Sequence, residues 1–169
     1  LIRTDPAHAK TRTVFVDSLS HVNEFIIRCV LKIQNKTKNI GDMEARDWGP
    51  FKSRAYELLV ARLEETGKTI LCSCHEIKLT ESDKQNIMVQ NVIGYEPFFQ
   101  GKVGDTIGAF FTDVWRLDVK QAPGGKTQTI LQTIRHPKCE HLKNSIGLPA
   151  EVDVTEGFKV LAPFMDGRV

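Results

Sequence analysis

The pattern of hydrophobic and polar residues predicts strands that alternate with helices in the first half of the chain. A β-branched run from Thr13 to Val16 stops at Asp17, as a short buried strand would. Apolar residues then recur at the spacing of a helix, at Val22, Phe25, Ile26, Val30 and Ile33. The order is therefore a strand, a polar site and a helix.

A second helix and strand follow the same order. Asp47 lies near a predicted helix start, Pro50 falls in the first turn, and Gly67 ends the helix. The apolar stripe of this helix comprises Phe51, Ala55, Leu58, Leu59 and Leu63. An apolar strand from Thr69 to Ser73 comes next, and it leads directly to the pair His75 and Glu76.

Strands of this kind predict an α/β fold, because apolar strands separated by helices form parallel sheets that are covered on both faces. Ligands of such sheets bind at the carboxyl ends of the strands. Asp17, His75 and Glu76 all follow such ends. We therefore expect these three residues at one edge of the sheet.

The second half of the chain has a different pattern. Residues 77 to 108 are polar and punctuated by glycine, which predicts a long loop. Two alternating runs, "DVWRLDVK" and "TQTILQTI", then flank Ala-Pro-Gly-Gly and predict an antiparallel hairpin. The stretch "PKCEHLKNSIGLP" followed by "AEVDVTEGFKVLAPF" is expected to close the chain with loops and a short edge element.

The hairpin turn contains Gly-Gly-Lys-Thr, which matches the end of the phosphate-binding loop G-x-x-x-x-G-K-[ST]. The first glycine of that motif is replaced by Lys120, and the residues after Thr127 alternate as a strand does instead of forming a helix. We predict a turn at Gly124 and Gly125 that binds no phosphate.

Length and composition predict one globular domain spanning residues 1–169, since 169 residues with 41% hydrophobic content can bury a core. The net charge of +2 is nearly balanced, so any contact with nucleic acid would need a local patch. No apolar run approaches the ~20 residues that span a bilayer. The sequence therefore predicts a soluble protein of the cytoplasm, without membrane partners.

Four cysteines are too few and too irregularly spaced for a disulfide framework, and we expect them to be reduced. A zinc site can be assembled on paper from Cys72, Cys74, His75, Cys139 and His141. The C-x-C and C-x-H spacings are not those of zinc sites, so burial of small side chains is the preferred interpretation.

The stretch "TVFVDS" has the form of a Walker B element, in which an apolar strand ends in a carboxylate that holds Mg²⁺. The alternative for Asp17 is a helix N-cap. His75 and Glu76 would sense the γ-phosphate or orient water if their strand is next to that of Asp17. The alternative for these two residues is a capping pair in a solvated loop.

Four stretches together carry a resemblance to a family: "TVFVDSLS", "RDWGPFKSRAYELLVARLEETGKTILCSCHE", "GYEPFFQGKVGDTIGAFFTDVWRL" and "LKNSIGLP". They resemble the phage-encoded RecA-like P-loop ATPases, a family of phage nucleotide-binding and single-strand-annealing recombination proteins. The resemblance covers nearly the whole chain. It implies a RecA-like, mostly parallel sheet with flanking helices and a C-terminal antiparallel hairpin.

The resemblance also implies roles for individual residues. Asp17 would be the Walker B aspartate that binds Mg²⁺ beside ATP, with Ser18 near the metal, and His75 with Glu76 would be the sensor. Lys143 would belong to a basic element that reaches a neighbouring subunit's phosphates. Ser145 stands where the family has an arginine, so we expect weak activation in trans, which an arginine at this position would strengthen.

The resemblance further implies a DNA-recombination ATPase that acts on single-stranded DNA as a ring or filament of identical subunits, in the host cytoplasm and alongside a single-stranded-DNA-binding protein. Residues 77–100 would face the DNA. The alternatives are a non-catalytic assembly subunit with a degenerate RecA-like fold, and a packaging or helicase-type motor ATPase.

One departure from the family concerns the start of the chain. A RecA-like core places its Walker A loop before the Walker B strand, and only residues 1–12 precede that strand here. Because the chain also begins with Leu1 in place of Met, we expect the carboxyl-terminal part of an ATPase whose first βα unit is missing, inactive by itself. A protein that keeps the fold without binding nucleotide is the other possibility.

Overall fold

The computed structural model describes residues 10–33, 40–82, 90–100 and 103–165. It is a mixed α/β structure with small sheets, and the chain divides into two compact units. Unit 1 comprises Leu1–Glu76 and Pro97–Asp105, and unit 2 comprises Ile77–Glu96 and Thr106–Val169. The prediction of a single domain over residues 1–169 stays a prediction.

Unit 1 is organised around two parallel strands, β1 (Thr13–Val16) and β2 (Thr69–Cys72). The register aligns Thr13 with Thr69 and Val16 with Cys72. The helix α1 (Leu19–Ile33) follows β1 after only two residues. The predicted order of strand and helix is confirmed, while the residues of β1 alternate between exposed and partly buried instead of being buried.

The segment between α1 and β2 is helical through several short elements. Two 3-10 turns, Ile40–Asp42 and Ala45–Asp47, precede α2 (Trp48–Tyr56), which continues through a π-helical turn, Glu57–Ala61, into α3 (Arg62–Glu64). Asp47 is the N-cap residue, and Gly67 follows the helix with a φ of 63°, a left-handed conformation that favours glycine. Both predicted boundaries are confirmed.

The core of unit 1 joins the buried sides of these helices. Helix α1 buries Ile26, Ile27, Val30 and Leu31. The other side of this core comes from the helical segment after α1, which buries Phe51, Ala55, Leu59 and Val60. The ring centroids of Phe51 and Phe99 lie 6.1 Å apart. The predicted stripe of α1 was partly wrong, because Phe25 and Ile33 are 60% and 71% exposed. The stripe is centred on residues 23, 26, 27 and 30.

Unit 2 contains the predicted hairpin, which is confirmed. Strands β5 (Arg116–Gln121) and β6 (Thr127–Gln132) pair in antiparallel fashion, and the predicted edge element is β7 (Glu151–Asp153), which pairs with β6. One cluster of apolar side chains forms the core beneath this sheet. The cluster consists of Leu131, Leu148, Val152, Val154 and Leu161.

The prediction of a loop over residues 77–108 was wrong. This segment contains β3 (Glu76–Ser82), β4 (Gln90–Pro97) and the short helix α4 (Val103–Ile107). Strands β3 and β4 pair with each other. Nearly every residue of β3 is exposed, so the strand lacks the apolar alternation by which a half-buried strand is recognised.

The last elements of the described residues are a 3-10 turn, Phe158–Leu161, and the short helix α5 (Ala162–Met165). No helix in the described ranges combines the length and the apolar character needed to cross a membrane.

Candidate functional site

The candidate site lies at the carboxyl edge of the parallel pair in unit 1. The pairing of β1 and β2 continues one residue beyond the strands, since the Ser73 N–H donates to the Val16 carbonyl at 3.0 Å. The Leu19 N–H then donates to the Ser73 carbonyl at 2.8 Å. These two bonds place Asp17 and Ser73 side by side where the strands end.

Asp17 is exposed, and one of its carboxylate oxygens accepts a hydrogen bond from the Ser73 hydroxyl. The peptide bond between Asp17 and Ser18 is cis. A carboxylate that one hydroxyl orients retains acceptor positions on both oxygens. Asp17 therefore has the exposure and the chemistry that a cation ligand requires.

The Asp17 carboxylate is compatible with Mg²⁺ if water and a nucleotide supply the other ligands. Within the described ranges, no group of three or more His, Cys, Asp or Glu side chains is placed to hold a metal ion. Mg²⁺ bound beside a nucleotide does not need such a group, because it commonly uses one or two carboxylates, several waters and the phosphates. Asp17 at a strand end satisfies that arrangement.

Ser18 is the residue immediately before α1, and its side chain is directed into the protein. The residue is 2% exposed, and its Oγ lies 3.0 Å from Nδ1 of His21. The Ser18 carbonyl accepts hydrogen bonds from the N–H groups of His21 and Val22, both at 3.1 Å. The Ser18 hydroxyl therefore contacts an imidazole, and its predicted place near a metal stays a prediction.

His75 lies at the same edge, two residues beyond Ser73. Its N–H donates to the Ser20 Oγ at 3.1 Å, and its carbonyl accepts from the Phe98 N–H at 2.6 Å. The Ser20 hydroxyl in turn donates to the Phe98 carbonyl at 3.1 Å. The backbone of His75 is thus fixed on both sides, while its imidazole remains exposed.

Two imidazoles meet above this edge. The ring centroids of His21 and His75 lie 5.7 Å apart with an interplanar angle of 74°, an edge-to-face arrangement. Glu76, the other predicted sensor residue, is the first residue of β3 and is exposed. The structure therefore brings together Asp17, Ser18 and His75 with His21, a residue that the sequence did not single out.

The cysteines beside the site are poorly suited to binding or nucleophilic chemistry. All four cysteines of the chain are free thiols. Burial raises the pKa of the Cys72 thiol to about 11, and the charge of Cys74 adds to that shift. Burial also raises the pKa of Cys74 itself, although its hydrogen bond with Ser20 opposes the shift. Both thiols are protonated near neutral pH, and the thiol form is a weak nucleophile and ligand.

Lys143, the fifth predicted site residue, belongs to unit 2. Its Nζ donates to the backbone carbonyls of Gly108 and Phe111, at 2.8 and 3.2 Å. Its backbone also pairs with Val114 in both directions. The ammonium group therefore stabilises the fold of its own chain, and a role at a neighbour's phosphates stays a prediction.

Ser145 is also engaged within unit 2. Its hydroxyl donates to one oxygen of the Asp113 carboxylate at 2.7 Å, and its N–H donates to the other oxygen at 2.5 Å. An arginine at this position would therefore meet a carboxylate in its own chain before it met a ligand. Asp113 gave no signal in the sequence.

The glycine-rich stretch that matches part of a phosphate-binding loop forms the β5–β6 turn. Gly124 and Gly125 have φ values of 86° and 76°, and the turn closes with the Ala122 N–H bonded to the Lys126 carbonyl at 2.8 Å. Strands flank the turn on both sides, and no helix begins at Lys126. The prediction of a turn here is confirmed.

Three residues of the edge were missed by sequence reasoning: Ser20, His21 and Ser73. The spacing between Ser18 and His21 gives the one usable signal, because residues three apart face each other in the first turn of a helix. Comparison of the chain with protein-family models, with curated proteins and with solved structures finds no match.

Proposed function

We propose that the chain is the Mg²⁺-binding part of a RecA-like, ATP-dependent recombination ATPase that acts on single-stranded DNA as a homo-oligomer. The observation that carries the proposal is the Asp17–Ser73 contact at the carboxyl edge of two parallel strands, with His75 on the same edge. Ligands of α/β sheets bind at such edges.

In this proposal Asp17 holds Mg²⁺ beside ATP, and the metal neutralises charge on the phosphates during phosphoryl transfer. Ser73 keeps the carboxylate of Asp17 oriented toward the metal. The exposed imidazole of His75 hydrogen-bonds the attacking water or a γ-phosphate oxygen, and Glu76 assists from the next position along the chain. Phosphoryl transfer depends chiefly on positioning and electrostatics, which such fixed polar groups supply.

The exposure of the β1–β2 pair supports a larger RecA-like sheet. Phe15 and Leu71 are partners in the register and lie on one face, where they are 58% and 52% exposed. Parallel sheets are normally covered on both faces. In the proposal, a further segment covers this face and carries the phosphate-binding loop that the 169 residues lack.

The DNA-facing role is proposed for residues 77–100. Strands β3 and β4 account for most of this segment, and residues 83–89 lie outside the described residues. The exposed faces of β3 support the proposal, since both are accessible to a nucleic acid strand. One face of the Tyr95 ring is covered by Arg116, whose guanidinium carbon lies 3.9 Å from the ring centroid. Stacking on a base would use the other face.

The test is the Asp17→Asn variant of the intact protein, measured by steady-state ATP hydrolysis with Mg²⁺. We expect turnover to fall by at least ~10²-fold, as for loss of a preorganised group that stabilises developing charge. The fold should persist by circular dichroism, because the amide oxygen still accepts from Ser73. Glu24→Gln, an exposed change on α1, is the matched control and should keep full turnover. Unchanged turnover in Asp17→Asn contradicts the assignment.

One observation favours a second candidate, a non-catalytic assembly subunit. The sequence contains no complete phosphate-binding loop, and its Gly-Lys-Thr run is a hairpin turn. Absence of ATP binding by the intact protein would favour this candidate over the ATPase. Duplex translocation instead of strand annealing would favour a packaging or helicase-type motor.

A further inference from the structure

We infer that His21 is a positioning residue, which orients the imidazole of His75 at the candidate site. The inference rests on the proposed function, in which His75 contacts water or a phosphate. It is carried by the Ser18–His21 hydrogen bond and by the edge-to-face contact between His21 and His75.

His21 has a fixed anchor on its own helix. The Ser18 Oγ that contacts Nδ1 is buried, and the Ser18 carbonyl accepts the backbone N–H of His21. A hydroxyl can donate to an unprotonated Nδ1 or accept from a protonated one. The bond therefore holds the ring of His21 in either protonation state, so the orientation of the ring does not depend on its charge.

His75 needs such a support, because only its side chain is free to move. The backbone of His75 is fixed by the Ser20 hydroxyl and the Phe98 N–H, while its imidazole is exposed. An exposed imidazole that packs on nothing samples several side-chain rotamers. Contact with the His21 ring, whose centroid lies 5.7 Å from that of His75, restricts those rotamers, because edge-to-face aromatic pairs attract each other.

Two substitutions at position 21 separate the ring from its anchor. His21→Asn keeps a polar group that can reach Ser18 and removes the ring. His21→Phe keeps a ring that can meet His75 and removes the bond to Ser18. If His21 acts by orienting His75, the phenylalanine variant should retain more of the function than the asparagine variant. A role limited to capping the helix predicts the reverse order.

The first measurement is side-chain NMR of the 169-residue chain with labelled histidine, without any nucleotide. In His21→Asn the His75 ring proton resonances should shift and average, because the neighbouring ring current is lost. In His21→Phe they should stay near the wild-type positions. Glu24→Ala on the exposed side of α1 is the control and should move neither resonance.

The second measurement is ATP hydrolysis by the intact protein. We expect kcat to fall by up to about tenfold in His21→Asn, the equivalent of one aromatic contact, with KM nearly unchanged. His21→Phe should recover most of the loss. Should His21→Asn fold poorly, Ser18→Ala keeps the ring and frees it, and should move the His75 resonances part of the way.

The inference is overturned if His75 resonances are the same in wild type and His21→Asn, or if His21→Phe is as impaired as His21→Asn. Its failure is distinguishable from failure of the proposed function. A wild-type protein that hydrolyses no ATP contradicts the proposed function, while the NMR comparison still decides whether His21 orients His75.

Discussion

The carboxyl edge of β1 and β2 in unit 1 and the loop 143–148 in unit 2 are both rich in polar side chains, and they use them differently. At the edge, Asp17 contacts Ser73, and Ser18 contacts His21, while Asp17 and both histidines stay exposed. In the loop, polar side chains are bonded mainly to the backbone. Polar groups that stay exposed and bond only to other side chains, like Asp17 and His21, remain able to bind a ligand.

In the loop, the side chains of Lys143 and Asn144 form hydrogen bonds with backbone groups. The Asn144 amide donates to the Leu148 carbonyl at 2.6 Å, and its oxygen accepts from the Leu148 N–H at 3.0 Å. Lys143 donates to two further carbonyls. These side chains satisfy backbone groups of the loop beyond the Lys143–Val114 bridge. At the edge, Asp17 with Ser73 and Ser18 with His21 are bonded side chain to side chain, while Ser20 bonds to the backbone.

Lys143→Met tests the structural role of the loop and is expected to have the largest effect on stability. Methionine removes both hydrogen bonds to carbonyls that are partly buried, so we expect the free energy of unfolding to fall by ~1–3 kcal/mol. Chemical denaturation of the chain measures it. Lys126→Met, on the exposed hairpin turn, is the control and should leave stability unchanged. Normal stability, with a turnover loss confined to concentrations at which the protein assembles, would instead support the role of Lys143 in trans.

A smaller effect is expected from Ser73→Ala at the edge. The variant removes the hydroxyl that orients Asp17, and one such bond corresponds to about three- to tenfold in kcat. Stability should change by less than ~0.5 kcal/mol, since the pair is exposed. ATP hydrolysis and denaturation of the same samples provide both values, with Ser53→Ala on α2 as the control. A loss of stability without a loss of turnover would make the edge structural, like the loop.

Ser145→Arg tests whether the loop can act on a neighbouring chain. From the sequence, restoring a guanidinium here was expected to raise turnover. Asp113 now provides a carboxylate for a bidentate pair within the same chain, so we expect turnover to change by less than about threefold. ATPase rates across a range of protein concentrations test this. A large, concentration-dependent rise would show that the arginine reaches a neighbour in spite of Asp113.

Lys126→Ala should have the smallest effect of the set. The side chain is exposed on a two-glycine hairpin turn, and no helix N-terminus is present there to bind phosphate. We expect unchanged nucleotide affinity, measured by equilibrium binding to the intact protein. A large loss of affinity would show that this turn binds phosphate after all.

The sequence predicted those elements whose apolar residues recur at the spacing of a strand or a helix, or whose turns carry a turn signal. The strand β1, the boundaries of the second helix and the β5–β6 hairpin all carry an apolar pattern or a turn signal. Strands β3 and β4 were missed because nearly every residue of β3 is exposed and the buried position of β4 is Gly94, so neither strand shows the apolar alternation of a half-buried strand. The stripe of α1 was misjudged because a buried Asn23 occupies a position that a hydrophobicity pattern assigns to solvent.

Only those residues of the candidate site that directly follow a predicted strand could be predicted from the sequence. Asp17 and His75 follow apolar strands, and parallel pairing brings such positions to one edge. His21 is an exposed residue on the first turn of α1, and its contact with His75 depends on tertiary packing, which the helical pattern does not show. The bonds that occupy Lys143 and Ser145 likewise join residues more than thirty positions apart.

The distance along the chain between the two parallel strands also bears on the order in which parts of the molecule fold. The contact between Asp17 and Ser73 joins residues 56 positions apart, whereas the hairpin is closed by Gln121 and Thr127, six positions apart. Closing the longer segment costs more chain entropy before any contact stabilises it, so local hairpins form sooner than distant parallel pairs. The edge that carries the candidate site is therefore expected to mature late, and a nucleotide that binds there would recognise only chains that have finished folding.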